Sequence, residues 1–147
     1  MVLSAETRIR TSPAAILSFF DRLEETYTRW HPDHHAFRWI AGRGVRPGVI
    51  CELDETIAGK RQRKKVRYVR VADDYIEFRP TSRAIRLFLP RMLFRITPEG
   101  NGCRVVQEIH IRIGPIGAWL NRKELDAVRQ HMQQEGENLK LLLEEST

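Results

Sequence analysis

The segment from Asn121 to Glu144 near the C-terminus constrains the fold most. Read as a single helix, it gathers Leu125, Val128, Met132, Leu139 and Leu142 on one stripe. A helix with one apolar stripe has to bury that stripe against another element. Glu135 lies in the middle of the stripe, and His131 sits one turn earlier at its edge. A carboxylate aimed at a core needs a partner, because an unpaired buried charge is very costly. A His and a Glu four residues apart on one helical face can reach the same metal ion.

The rest of the chain supplies a surface for that stripe. The hydrophobic pattern predicts strands at 3–10, 36–41, 49–57, 64–71, 75–79, 91–96 and 103–113, and short helices near 13–20 and 22–30. Ser12-Pro13 offers a helix start, and Pro32 ends the second helix. Pro98 to Gly102 is a turn cluster, and Asn121 with Glu124 reads as a capping box for the long helix. In the last strand Cys103, Val105, Gln107, Ile109, Ile111 and Ile113 share one face, while Arg104, Glu108, His110 and Arg112 share the other. Strands with one polar face suit an antiparallel sheet solvated on one side. In the strand at 49–57, Val49, Cys51, Leu53, Glu55 and Ile57 align, so Glu55 is a second carboxylate on an apolar surface.

The 147 residues suit one domain spanning 1–147. Two cysteines, Cys51 and Cys103, do not make a disulfide framework. The expectation is therefore a reduced, cytoplasmic protein with no signal peptide. No apolar stretch nears the roughly 18 residues needed to span a membrane. The formal net charge is +6, and Lys60 to Arg67 is the densest basic run. It lacks interleaved aromatics for base stacking, so it reads as the solvated face of a hairpin, and nucleic acid is not expected. There is no Gly-x-Ser-x-Gly elbow, phosphate-cradling Gly loop or dinucleotide fingerprint.

The order of strand, two short helices, antiparallel strands and long C-terminal helix resembles the START-type helix-grip (SRPBCC) superfamily. The resemblance covers nearly the whole chain. It implies an α+β fold in which a curved antiparallel sheet wraps the long helix and leaves an internal ligand cavity. Members include carriers, cyclases and hydrolases, so the fold alone does not choose among them.

A narrower resemblance is to the zinc-dependent hydrolases of acylated phloroglucinols, such as diacetylphloroglucinol and phloretin hydrolase. It implies a metal held by two His and two Glu inside the cavity. His131-Met132-Gln133-Gln134-Glu135 matches the helical half of that site, and Glu55 looks like the strand glutamate. The second His then comes from Trp30-His31-Pro32-Asp33-His34, with His34 ranked before His31 and His35 third. The chain is much shorter than those hydrolases and lacks their large N-terminal region.

Two imidazoles and two carboxylates suit Zn²⁺, and other divalent metals accept the same donors. Glu55 and Glu135 are the carboxylates available for proton transfer. Phe37, Trp39, Tyr68, Phe78, Met92 and Phe94 are candidate cavity walls; Gln107 and Asn138 are candidate polar contacts. The expected activity is hydrolysis of a small aromatic or polyketide-like ketone or ester. The alternative is a non-enzymatic carrier of a small hydrophobic ligand. The expected partner is such a ligand, with a homodimer left open and no membrane partner.

Overall fold

The computed structural model describes residues 1–145; the last two positions of the expected domain, Ser146 and Thr147, lie outside the described residues. β1 (Val2–Ile9) leads into α1 (Pro13–Asp21) and α2 (Leu23–Trp30), followed by β2 (His34–Ala41), β3 (Ile50–Ile57), β4 (Lys60–Ala72) and β5 (Tyr75–Pro80). Next come α3 (Arg83–Phe88), β6 (Arg91–Glu99), β7 (Gly102–His110), α4 (Pro115–Leu120) and α5 (Arg122–Glu145). Within the described residues the strands form one seven-stranded sheet in the order β1-β7-β6-β5-β4-β3-β2. Every neighbouring pair is antiparallel. The helix-grip α+β architecture expected from the pattern is the one observed.

The sheet curves because its strands are interrupted. Register shifts fall between His34 and Ala36, between Trp39 and Ala41, and between Tyr68 and Arg70. Such bulges add local twist and bend the strand that carries them. The concave face holds an aromatic core in which Phe20 meets Trp30 edge-on at 5.5 Å and Phe94 at 4.7 Å. α5 lies along β1, with lesser contact to β3, β7 and α2. Met132, Leu139 and Leu143 are its buried apolar residues, while Leu142 of the expected stripe is only half-buried.

Several local expectations are corrected. Asn121 does not cap α5; its side-chain amide donates back to the Gly117 carbonyl at 2.8 Å, closing α4, and Glu124 pairs with Lys60 at 3.3 Å. The short helices α3 and α4 occupy stretches with no periodic apolar face to predict them, and β7 ends at His110 rather than Ile113. The Ser12 cap holds, accepting from the Ala15 N–H at 3.1 Å. Most of the basic run is outward strand surface. There Arg61 grips Asp54 at 3.0 and 3.1 Å and holds its carboxyl below the usual range.

Two backbone positions are sharply constrained. Gly136 abuts β1, where a Cβ would stand 2.2 Å from Thr7 Oγ1. Although Ala is the better helix former, Gly136→Ala is expected to destabilise the protein by about 1–3 kcal/mol. Thr7→Ala should relieve part of that loss; chemical denaturation reads both effects. At the β3–β4 hairpin tip, Ala58 and Gly59 both have positive φ, 54° and 75°. That two-residue turn favours Asn-Gly or Gly-Gly. Ala58→Asn is therefore expected to raise stability by about 0.5–1 kcal/mol, because the short Asn side chain bonds its local backbone and tolerates the left-handed region better than Ala.

Candidate metal centre

Two strands place the first half of the site. His34 opens β2 directly opposite Glu55 on β3, so their side chains share the concave face. α5 places the second half, with His131 and Glu135 one turn apart and both buried. α2 ties the halves together. The Trp30 indole N–H donates to the Glu135 carbonyl at 2.8 Å, and the Tyr27 hydroxyl donates to Glu55 Oε2 at 2.9 Å. The Tyr27 ring also stacks on His34, with centroids 4.0 Å apart and planes within 5°.

The four side chains converge. His34 Nε2 lies 2.9 Å from Glu135 Oε2 and 3.7 Å from Glu55 Oε2, and His131 Nε2 lies 3.7 Å from Glu135 Oε2. One donor atom from each falls within 4.8 Å of the others. Donors around a tetrahedral ion bonded at about 2.0–2.2 Å stand roughly 3.3–3.6 Å apart, so the spacing is close to that of a metal site.

Hydrogen bonding sharpens this fit. His34 Nδ1 lies 2.9 Å from the Tyr27 carbonyl, which can only accept, so Nδ1 carries a proton. In the neutral ring Nε2 then presents a lone pair to a carboxylate oxygen at 2.9 Å. Two acceptors at that distance need a proton or a cation between them. His131 Nε2 is buried and has no hydrogen-bond partner among the described residues. A buried imidazole nitrogen facing two carboxylates is what a metal ion would satisfy.

The charges are mutually dependent. Burial by itself would raise the Glu135 pKa; when the His131 and His34 rings carry their second protons, their proximity and positive charge overcome this and lower it to about 2. Burial pulls the His131 pKa down, but Glu135, with smaller help from Glu55 and Asp33, raises it on balance. Gln107 donates to Glu135 Oε1 at 3.3 Å, and Lys64 Nζ stands 3.3 Å from Glu55 Oε1.

The other upstream histidines differ in role. His31 is buried with its ring 4.3 Å from that of His131. Its Nδ1 accepts from the Asp33 N–H at 2.9 Å, so Nε2 carries the proton and donates to Gln134 Oε1 at 2.9 Å. Both nitrogens are engaged in these bonds, although one ring nitrogen also lies within 4.8 Å of donor atoms of His34 and His131. His35 faces outward and bonds Thr56 Oγ1 at 2.7 Å.

Beside the cluster lies a cavity of about 80 Å³, room for a few waters or one small ring. Tyr68, Phe78, Met92, Phe94 and Gln107 line it, together with Glu55, His131 and Glu135. Phe37 and Trp39 do not. They turn toward α2, where the Trp39 indole donates to Glu24 at 2.9 Å and Phe37 tilts against Tyr27 at 5.7 Å. Asn138 is half-buried three residues beyond Glu135 and is not one of the residues that line the cavity.

Sequence reasoning missed Tyr27, Trp30 and Lys64. All three left a signal. Leu23, Tyr27 and Trp30 recur at the i, i+4, i+7 spacing of a buried helical face. Counting back by twos from the buried Tyr68 and Val66 puts Lys64 on the inner face.

No curated protein matches the chain in sequence. Among solved structures, TTHA0849 from Thermus thermophilus superposes with a TM-score of 0.77 at 18% identity, covering 100% of this chain and 99% of its own. A START superfamily protein from Mycobacterium smegmatis gives a TM-score of 0.72 at 17% identity, over 99% of both chains. The di-domain ARO/CYC protein BexL from the BE-7585A biosynthetic pathway gives 0.74 at 13% identity, covering 98% of this chain and 50% of its own. At these identities the likenesses establish the fold. The family model described as "Polyketide cyclase / dehydrase and lipid transport" matches residues 1–144. Sequence and curved sheet thus agree, and the chain belongs to the polyketide cyclase/dehydrase and lipid-transport family.

Proposed function

We propose that the protein is a metal-dependent hydrolase, with zinc the ion best suited to its donors, acting on a small aromatic or polyketide-like ketone or ester. The observation that carries this reading is the convergence of four buried donors, with His131 Nε2 left without a hydrogen-bond partner among the described residues. His34, Glu55, His131 and Glu135 would hold the ion. Structural zinc sites tend to be closed and cysteine-rich, whereas catalytic ones use His and carboxylate and keep a position open. When bound, such an ion polarises a carbonyl and acidifies a coordinated water.

The protein's own groups have distinct tasks in this reading. Tyr68, Phe78, Met92 and Phe94 exclude water and hold a ring flat against apolar walls. Glu55 is the carboxylate assigned to proton transfer, held in place by Lys64 on one oxygen and the Tyr27 hydroxyl on the other. Glu135 is pinned by His34 and Gln107 and acts mainly as an anchor.

One feature favours the rival reading of a carrier for a small hydrophobic ligand. A proton on His34 would make its contacts to Tyr27 and Glu135 two ordinary donations, leaving only His131 Nε2 unsatisfied. The two readings separate on metal content. Protein purified without a metal-binding tag is expected to carry about one divalent ion per chain by elemental analysis, in keeping with a single four-donor site. His131→Ala and Glu135→Ala should each abolish metal binding and hydrolysis of acylated phenols while circular dichroism stays native. Metal-free wild-type protein, with both variants as stable as it or more so, would establish the carrier.

Acid provides an independent check on the cluster. A carboxyl with a depressed pKa contributes stability above its unfolded value, near 4.5, and loses it as pH falls toward its folded value, about 2. In chelator-treated protein, the stability difference between wild type and Glu135→Gln should shrink across that window. A difference that is constant with pH would mean that Glu135 is not charged in the folded chain.

A further inference from the structure

α3 and α4 carry bulky apolar side chains that nothing in the fold covers. Leu87 and Phe88 on α3 are 60% and 68% exposed, and Ile116, Trp119 and Leu120 on α4 are 77%, 63% and 66% exposed. The two helices belong to one end of the molecule, because the Arg112 N–H donates to the Phe88 carbonyl at 2.7 Å and ties the end of α3 to the approach of α4. The β3–β4 hairpin reaches the same region through the Lys60–Glu124 pair. Ile57, Ile109 and Val128, the cavity-lining residues beside these segments, put the cavity at this end too.

The charge around the patch has one sign. No acidic residue occurs between Glu77 and Glu99, nor between Glu108 and Glu124. Arg83, Arg112, Arg122 and Lys123 are exposed, and Arg86 is half-buried. The Arg122 guanidinium sits 4.7 Å over the Trp119 ring. Glu124, where the acid-free stretch ends, is engaged by Lys60.

We propose that α3 and α4 form a peripheral docking surface for an anionic lipid bilayer, which sets the mouth of the cavity against the membrane. Charge complementarity selects the occupant. A bilayer interface accepts protruding Phe, Leu, Ile and Trp side chains without shape matching, favours Trp and Arg at the headgroup level, and is anionic. An acidic protein would match the charge, but it would need pockets for five protruding side chains on two short helices. No helix of the described residues is long and apolar enough to cross a membrane, and a docking surface needs none. The expectation of no membrane partner rested on that missing span, so it does not reach this case. The proposal is independent of the metal reading.

The test is flotation of the full chain with phosphatidylcholine–phosphatidylglycerol vesicles, and with phosphatidylcholine alone, at low and high salt. Binding is expected to the mixed vesicles, to fall sharply without the anionic lipid or at high salt, and to shift Trp emission to the blue. Phe88→Ala and Trp119→Ala should each weaken it roughly tenfold or more, and Trp119→Phe should remove most of the emission shift. Arg83→Ala and Lys123→Ala should each weaken it about fivefold. These residues are exposed, so melting temperatures should be unchanged; if an apolar variant fails to fold, the charge variants still decide. Equal binding to neutral vesicles overturns the proposal, as does unaltered binding by the variants. Binding of soluble polyglutamate in preference to vesicles also overturns it, in favour of an acidic protein partner.

Discussion

The Glu135 carboxylate has to be compensated in a buried position, and much of the structure is arranged around that requirement. Its side chain is buried in the middle of the helix that the sheet grips. Burial by itself would drive it to the neutral acid; His34, His131 and Gln107 keep it charged instead. These partners come from three different elements, so one buried charge links β2, β7 and α5. The Trp30 bond to the Glu135 carbonyl adds α2 at the same residue. Removing one partner of such a network costs more than the bond itself, because the other charge is left unpaired.

The cross-strand pairing of His34 with Glu55 is the second organising feature. A register shift of one residue would send both side chains to the outer face. The bulge just after His34 keeps it on the concave side while the following residues return to ordinary alternation. Tyr27 then holds both partners, stacking on the ring of one and donating to the carboxylate of the other. The polar centre and the apolar cavity are therefore adjacent parts of one construction. A polar anchor sits at one end of a space walled by aromatic side chains, an arrangement common to small-molecule sites.

Family membership and geometry carry different weight. The family match covers residues 1–144 and accounts for the sheet, the gripped helix and the space between them. It does not account for a buried two-His, two-Glu cluster, which belongs to this chain's own residues. Function rests on such sites rather than on the fold that holds them.

Much of this was legible from residue order. One-sided alternation at 103–113 and 49–57 implied an antiparallel sheet, and the stripe of α5 implied a helix gripped by it, because side-chain periodicity follows directly from backbone geometry. The same periodicity put Glu55, His131 and Glu135 on inward faces. It did not reveal α3 or α4, whose exposed apolar side chains follow no buried stripe. Only the tertiary structure decided that His34 rather than His31 meets the carboxylates, since this depends on which ring nitrogens the loop at residues 31–34 already uses. It also decided that Phe37 and Trp39 serve α2 while Lys64 and Tyr27 serve the site. Contacts between residues distant in the chain depend on sheet curvature and bulge position, which no local pattern encodes.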